Sequence, residues 1–372
     1  MSAIAWLPAS LGSIKSSNKA VKKRPVFQWP DFWQPLNGWI EEPLQEFHLF
    51  CPREGVSQEW PQAWARAWDG AFDEVGHKAP LNLSSSPLAC CLDKDSLLFA
   101  LQQLPPIQSV VVAGWGEPFR YSQWSDWLAA CKEAFPSKNH PFIELYSHAD
   151  WDARDVQTLW QKPLDRLTVQ MIGHSPASAS LMAAASGIDM PWQVWQARHE
   201  RLKTLLAQRP LAASTEVVVS VVVDAVSIFH LEPMVNWAKH LGVDALRLEG
   251  RFKPLEQDAL ALSAQSTEAL IFLQQAQSAE WDLPIQWPTL PALASESSPP
   301  VCSSFKNRLS MTPELAINPC HRHWINQEAP QTIWEWGTQS HAETEALYAS
   351  HGSLSTLPAP CKTCRHRGEQ SL

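Results

Sequence analysis

From about Leu81 to residue 290 the sequence alternates short apolar runs with longer amphipathic ones at βα spacing, and this constrains the fold more than any other feature. The pattern predicts strands at 107–114, 142–146, 166–171, 216–223 and 245–249. Between them it predicts helices near 94–103, 122–135, 155–161, 177–185, 192–206, 232–240 and 263–279. The run EVVVSVVV at 216–223 carries no polar alternation, as expected of a parallel strand covered by helices. These units predict an α/β domain, an open or closed barrel.

The flanks differ in composition. Residues 1–80 hold aromatic and proline-rich stretches around FQWPDFWQPLNGW, a segment at 47–50 that suits a short strand, and a helical pattern at 59–75. Lys15, Lys19, Lys22, Lys23 and Arg24 lie among Ser and Asn, so about the first 25 residues read as a flexible arm. Pro, Ser and Ala replace the helical pattern at 288–300, which marks a boundary. The expected organisation is an N-terminal region of uncertain fold (1–80), the barrel (81–290) and a small His- and Trp-rich extension (291–372).

A formal charge of -9 repels a phosphate backbone, which argues against nucleic acid as a general partner. The opening MSAIAWLPASLG lacks a basic n-region and a long apolar h-region, and no stretch approaches the roughly 20 apolar residues that span a bilayer. The expectation is a cytoplasmic chain without a membrane contact. In a reducing compartment, cysteines serve as ligands, catalysts or small buried hydrophobes more often than as disulfides.

Four of the eight cysteines lie in the extension. Cys361-Lys-Thr-Cys364 offers two thiolates that reach one ion or cluster around a tight turn. A redox dithiol needs this motif after a strand and opening a helix, whereas here it lies among Arg, His and Lys. Cys302 and Cys320 flank FKNRLSMTPELAI, which reads as strand, Thr-Pro turn and strand, a hairpin that returns Cys320 beside Cys302. Four thiolates suit an iron–sulfur cluster or structural zinc. His321 and His323 are substitute ligands or surface histidines beside the metal.

These motifs resemble the radical SAM superfamily with a C-terminal SPASM-like auxiliary-cluster extension. The resemblance rests on Gly114-Trp115-Gly116-Glu117-Pro118 after the strand at 107–114, on Asp165 through Gly173, and on Ala238-Lys239-His240-Leu241-Gly242-Val243-Asp244 before the sixth strand. In the extension it rests on Cys302, Pro319-Cys320, Thr332-Ile333-Trp334-Glu335-Trp336 and Cys361-x-x-Cys364, with Leu315 where a turn glycine is usual. It implies a partial (β/α)6 TIM-type barrel with a small four-cysteine metal-binding extension. It also implies a [4Fe-4S] cluster, or zinc, on Cys302, Cys320, Cys361 and Cys364. S-adenosylmethionine would then lie near Gly114, Gly116, Glu117, Pro118 and Gln170, with Glu117 toward its ammonium group and Gln170 where relatives often place a serine near the nucleoside.

The chain departs from the family at its catalytic cluster. The superfamily holds that cluster with Cys-x3-Cys-x2-Cys after the first barrel strand, and no such triplet occurs in this sequence. The matching loop is read as Ser84 through Cys91, where the adjacent Cys90 and Cys91 cannot supply three converging ligands; Cys51, Cys90, Cys91 and Cys131 read as partly buried small residues. The expected function is a degenerate, non-catalytic accessory, a pseudoenzyme that binds a peptide or protein partner, for example a catalytically competent radical SAM enzyme in a peptide-modification pathway. The alternatives are an active enzyme with an unconventional or partner-supplied front cluster, and a zinc-stabilised binding module. Glu117 has a plainer reading as the cap of the following turn. His148 and Asp150 at the barrel mouth suit acid–base work or a metal, or else a solvated loop. The 20 tryptophans suit cores and contact surfaces, with WQPLNGW the best exposed patch.

Overall fold

The computed structural model describes residues 44–51, 93–135 except 103, 105 and 115–116, then 140–185, 192–250, 267–288, 308–311 and 317–318. The basic arm, the WQPLNGW patch, Cys90, Cys91, Gly116, Cys302, Cys320, the Ile-Trp segment at 332–336, Cys361 and Cys364 lie outside them.

In chain order the elements are β1 (Leu44–Cys51), α1 (Lys94–Gln102), β2 (Ile107–Gly114), α2 (Trp124–Ala134), β3 (Phe142–Ser147), α3 (Ala153–Leu159), β4 (Arg166–Met171), α4 (Pro176–Ala185) and α5 (Trp192–Ala207). They continue with β5 (Glu216–Val223), α6 (Leu231–Leu241), β6 (Ala245–Gly250), α7 (Thr267–Gln277), β7 (Ile285–Gln286), β8 (Arg308–Met311) and β9 (Ile317–Asn318). One sheet runs in the order β7-β6-β5-β4-β3-β2-β1-β8-β9, parallel throughout except for the antiparallel pair β8 and β9.

The helices form where apolar residues recur along one stripe. On α2 the buried Trp124, Trp127, Leu128 and Cys131, widened by Ala130, and on α6 Leu231, Met234, Val235 and Ala238 follow the i, i+3, i+4, i+7 rule. Gly242 ends α6 at φ 81°, the left-handed cap that glycine adopts without a Cβ penalty. Asp152 opens α3 through a reciprocal capping box with Asp155, whose other oxygen accepts from Trp124 Nε1 at 3.1 Å and ties α3 to α2.

Two expectations needed revision. The sheet begins at β1, whose Glu46–Cys51 pair with Ser109–Gly114 of β2, so a barrel strand lies ahead of the boundary set at residue 81. The segment that follows this first strand therefore starts at Pro52, not at Ser84. The hairpin expected between Cys302 and Cys320 forms as β8 and β9, with Ser310 opposite Asn318, but β8 also adds parallel to β1 and extends the barrel sheet.

Candidate functional site

The two faces of the sheet differ in chemistry. Val217, Val219, Val221 and Val223 of β5 join the core beneath the helices, as do Ile143 and Leu145 of β3 and Leu167 and Val169 of β4. The alternate positions, which face the lumen, include the polar Glu144 and Tyr146 on β3, Arg166, Thr168 and Gln170 on β4, Ser220 on β5, and Arg247 and Glu249 on β6, beside the apolar Val111 on β2 and Val218 and Val222 on β5. The face therefore mixes branched apolar side chains with a cluster of polar and charged ones.

The lower layer of the lumen is closed by its own ion pairs. Glu144 accepts from Thr168 Oγ1 at 2.6 Å and pairs with Arg247 Nη1 at 2.8 Å. Arg247 also donates to Gln286 Oε1 at 2.7 Å and to the Tyr146 hydroxyl, while Arg166 pairs with Glu216 at 2.7 Å. Higher up, Ser220 Oγ donates to Glu249 Oε1 at 2.6 Å. Gln170, opposite Ser220, is 2% exposed, and its amide nitrogen has no hydrogen-bond partner among the described residues.

Glu117 lies at the mouth, three residues past β2, and is fully buried. Its Oε2 accepts from the His148 backbone N–H at 2.7 Å and from Ser147 Oγ at 3.0 Å, and its Oε1 accepts from Phe119 N–H at 3.3 Å. It thereby caps the short 3-10 turn Pro118–Arg120, with Pro118 preorganised at the first helical position. Burial pushes its carboxyl up to about 7, the three donors oppose that rise, and the like charge of Asp150 adds to it. Gly114 ends β2 in register with Cys51 of β1.

The solvated-loop reading of His148 fails, because its ring is 3% exposed and burial holds its pKa well below the ordinary value. Asp150 instead pairs with Arg201 Nη1 at 2.9 Å, and the same nitrogen donates to the Ala149 carbonyl at 3.1 Å. Arg198 sits on the buried stripe of α5, where desolvation lowers its pKa to about 9 against the attraction of Glu117 and Asp150. His174, after β4, stacks on His230, after β5, at 6.3 Å between ring centroids. The loop Gly173-His174-Ser175-Pro176 is a turn into α4 held by Ser178 Oγ, which accepts from His174 N–H and Ser175 N–H at 3.0 Å each.

Of the cysteines, Cys131 is sealed in α2 with its thiol pushed up to about 12 by burial, so it is a packing residue there. Among the described residues no group of three or more His, Cys, Asp or Glu side chains is placed to hold a metal ion. No described helix is long and apolar enough to cross a membrane.

Sequence reasoning singled out Glu117, Pro118 and Gln170 but missed Glu144, Thr168, Ser220, Arg247, Glu249 and Arg198. The signal for the strand residues was available, since polar residues recur at alternate positions in FIELYS, RLTVQM and ALRLEG.

No family model matches this chain. No curated protein matches it either. Solved structures do match. A histidine-tagged form of anSMEcpe with bound AdoMet aligns with a TM-score of 0.51 at 10% identity, covering 88% of this chain and 85% of that one. Native anSMEcpe with bound AdoMet gives 0.50 at 12% identity, covering 87% and 88%. Streptococcus suis SuiB bound to precursor peptide SuiA gives 0.49 at 12% identity, covering 88% and 70%. The chain has the α/β partial-barrel fold of radical SAM enzymes.

Proposed function

We propose that this chain is a radical SAM-fold protein that performs no radical chemistry itself and acts as a peptide- or partner-binding accessory of a modification pathway. The observation that carries this reading is the absence of a Cys-x3-Cys-x2-Cys triplet anywhere in the sequence. The catalytic cluster needs three thiolates on one side and an open iron on the other, and burial of Cys131 in the helical core removes one further candidate. The engagement of both Glu117 oxygens by protein donors supports its capping role over a role in holding a methionyl ammonium. Gly114, Gly116, Pro118 and Gln170 remain the residues that would face S-adenosylmethionine if it binds.

In this reading Cys302, Cys320, Cys361 and Cys364 hold one [4Fe-4S] cluster, with zinc the alternative for the same donor set. The β8–β9 hairpin between the first two cysteines supports the arrangement. The partner is a peptide or a protein, a competent radical SAM enzyme among the candidates.

A second reading, an active enzyme with unconventional front ligands, is favoured by one observation: β1 ends on Cys51, in register with Gly114 at the mouth. One experiment separates the two. Anaerobically reconstituted protein is reduced with dithionite in the presence of S-adenosylmethionine, and 5′-deoxyadenosine is measured. The accessory reading expects none above a cofactor-only control, and turnover would overthrow it.

A further inference from the structure

A buried nitrogen on the lumen side finds no hydrogen-bond partner among the described residues. Gln170 is on β4 between Val169 and Met171, both buried on the helix-facing side, so the strand cannot slip to turn its amide elsewhere. Its Nε2 is enclosed without an acceptor among the described residues, whereas the polar groups of the layer below are matched to one another. An apolar side chain of the same shape would fill the position without leaving a buried donor unmade.

The neighbours indicate what would satisfy it. Gln170 is in register with Ser220, and Ser220 holds the Glu249 carboxylate at 2.6 Å. The carboxylate of β6 is thereby drawn over β5, the strand next to Gln170, so the amide nitrogen and the carboxylate flank the same stretch of the lumen face. A carboxylate in this layer disfavours an anionic ligand, and the neutral amide of Gln170 gives no strong hold on a charged one. The pair suits a neutral group that presents both an acceptor and a donor.

We infer that the upper lumen, at Gln170, Ser220 and Glu249, is a binding site for an amide group of a peptide. Its carbonyl accepts from Gln170 Nε2 and its N–H faces the Glu249 carboxylate. This rests on the peptide-binding reading above and places the peptide contact inside the barrel as well as at its rim.

The test uses the full chain, a Gln170→Met variant of similar shape, and two probes: N-acetyl-alanine methylamide and S-adenosylhomocysteine. Without ligand, the Gln170→Met melting temperature is expected to rise by about 2–4 °C, because a buried donor without an acceptor has been removed. Saturation-transfer NMR is expected to show the diamide on the wild type and to lose that signal in the variant. A fall in melting temperature, no diamide signal on the wild type, or a signal unchanged by the substitution overturns the inference. A Gln170-dependent signal from S-adenosylhomocysteine alone also overturns it, by assigning the site to a nucleoside. Production of 5′-deoxyadenosine would sink the accessory reading while leaving the amide site standing.

Discussion

Replacing Glu117 by glutamine should change how stability depends on pH. The folded carboxyl is raised from 4.5 to about 7, mainly because burial penalises its charge. A folded value above the unfolded one means that the native state binds the extra proton between these limits. The group's contribution is therefore complete below about pH 4.5 and is lost as pH rises through about 7. A shift of that size corresponds to about 3 kcal/mol. The neighbours do not confuse the window, since His148 is held neutral by burial and Arg198, lowered only to about 9, stays charged across it. The substituted amide would keep one oxygen for Ser147 and His148 but turn its nitrogen toward Phe119 N–H, a pH-independent offset. The informative quantity is thus the slope. Urea unfolding of both proteins at pH 5, 6, 7 and 8 should show the wild-type advantage shrinking by about 2.5 kcal/mol over the range. Parallel curves would refute the claim that burial dominates this carboxyl.

Gly173→Ala should cost at least about 2 kcal/mol, because the backbone is at φ 68° and a Cβ would meet Ser178 Oγ at 2.4 Å. Gly242→Ala, at φ 81° with nothing within 4 Å, should cost only about 1 kcal/mol, and thermal unfolding of both checks the order. Cys364→Ala should lose the bound metal and the protease resistance of the extension, since ligand binding supplies folding energy to a small section; full metal content with an intact tail contradicts the four-ligand set. Anaerobically purified protein should be brown, and a colourless protein that retains zinc would favour the zinc-stabilised alternative.

Strands β2 through β6 were legible because the interval between apolar runs is regular and each run is long enough to cross a sheet. The first strand was legible only in part. Its core side chains Phe47 and Leu49 gave a strand signal, but only 47–50 of Leu44–Cys51 read as strand from sequence. The mouth was legible through Gly114-x-Gly116-Glu117-Pro118, a motif read along the chain. Arg198 was not, because a charged residue on an amphipathic helix is ordinarily solvated, and only the packing of α5 puts it on the buried stripe. The lumen was overlooked for a different reason. Val217 to Val223 present one serine among valines, which reads as uniform apolarity until the register shows that Ser220 shares its face with Gln170 and Arg247.

That register separates what the fold needs from what it carries. The helices are held by the outward face, where valine, leucine and isoleucine pack beneath the tryptophans of α2 and α5. The inward face could be apolar without disturbing those contacts, and a lumen lined by branched side chains would avoid the desolvation of Glu144, Arg247 and Gln170. The floor recovers that cost through paired charges and hydrogen bonds, so it is self-sufficient and can serve as structure alone. The Gln170 amide nitrogen recovers nothing within the described chain. A sequence without a Cys-x3-Cys-x2-Cys triplet that holds a buried donor at an inward-facing strand position favours the proposed binding role over radical chemistry. Binding and radical generation depend on different residues, so one can be lost while the other stays.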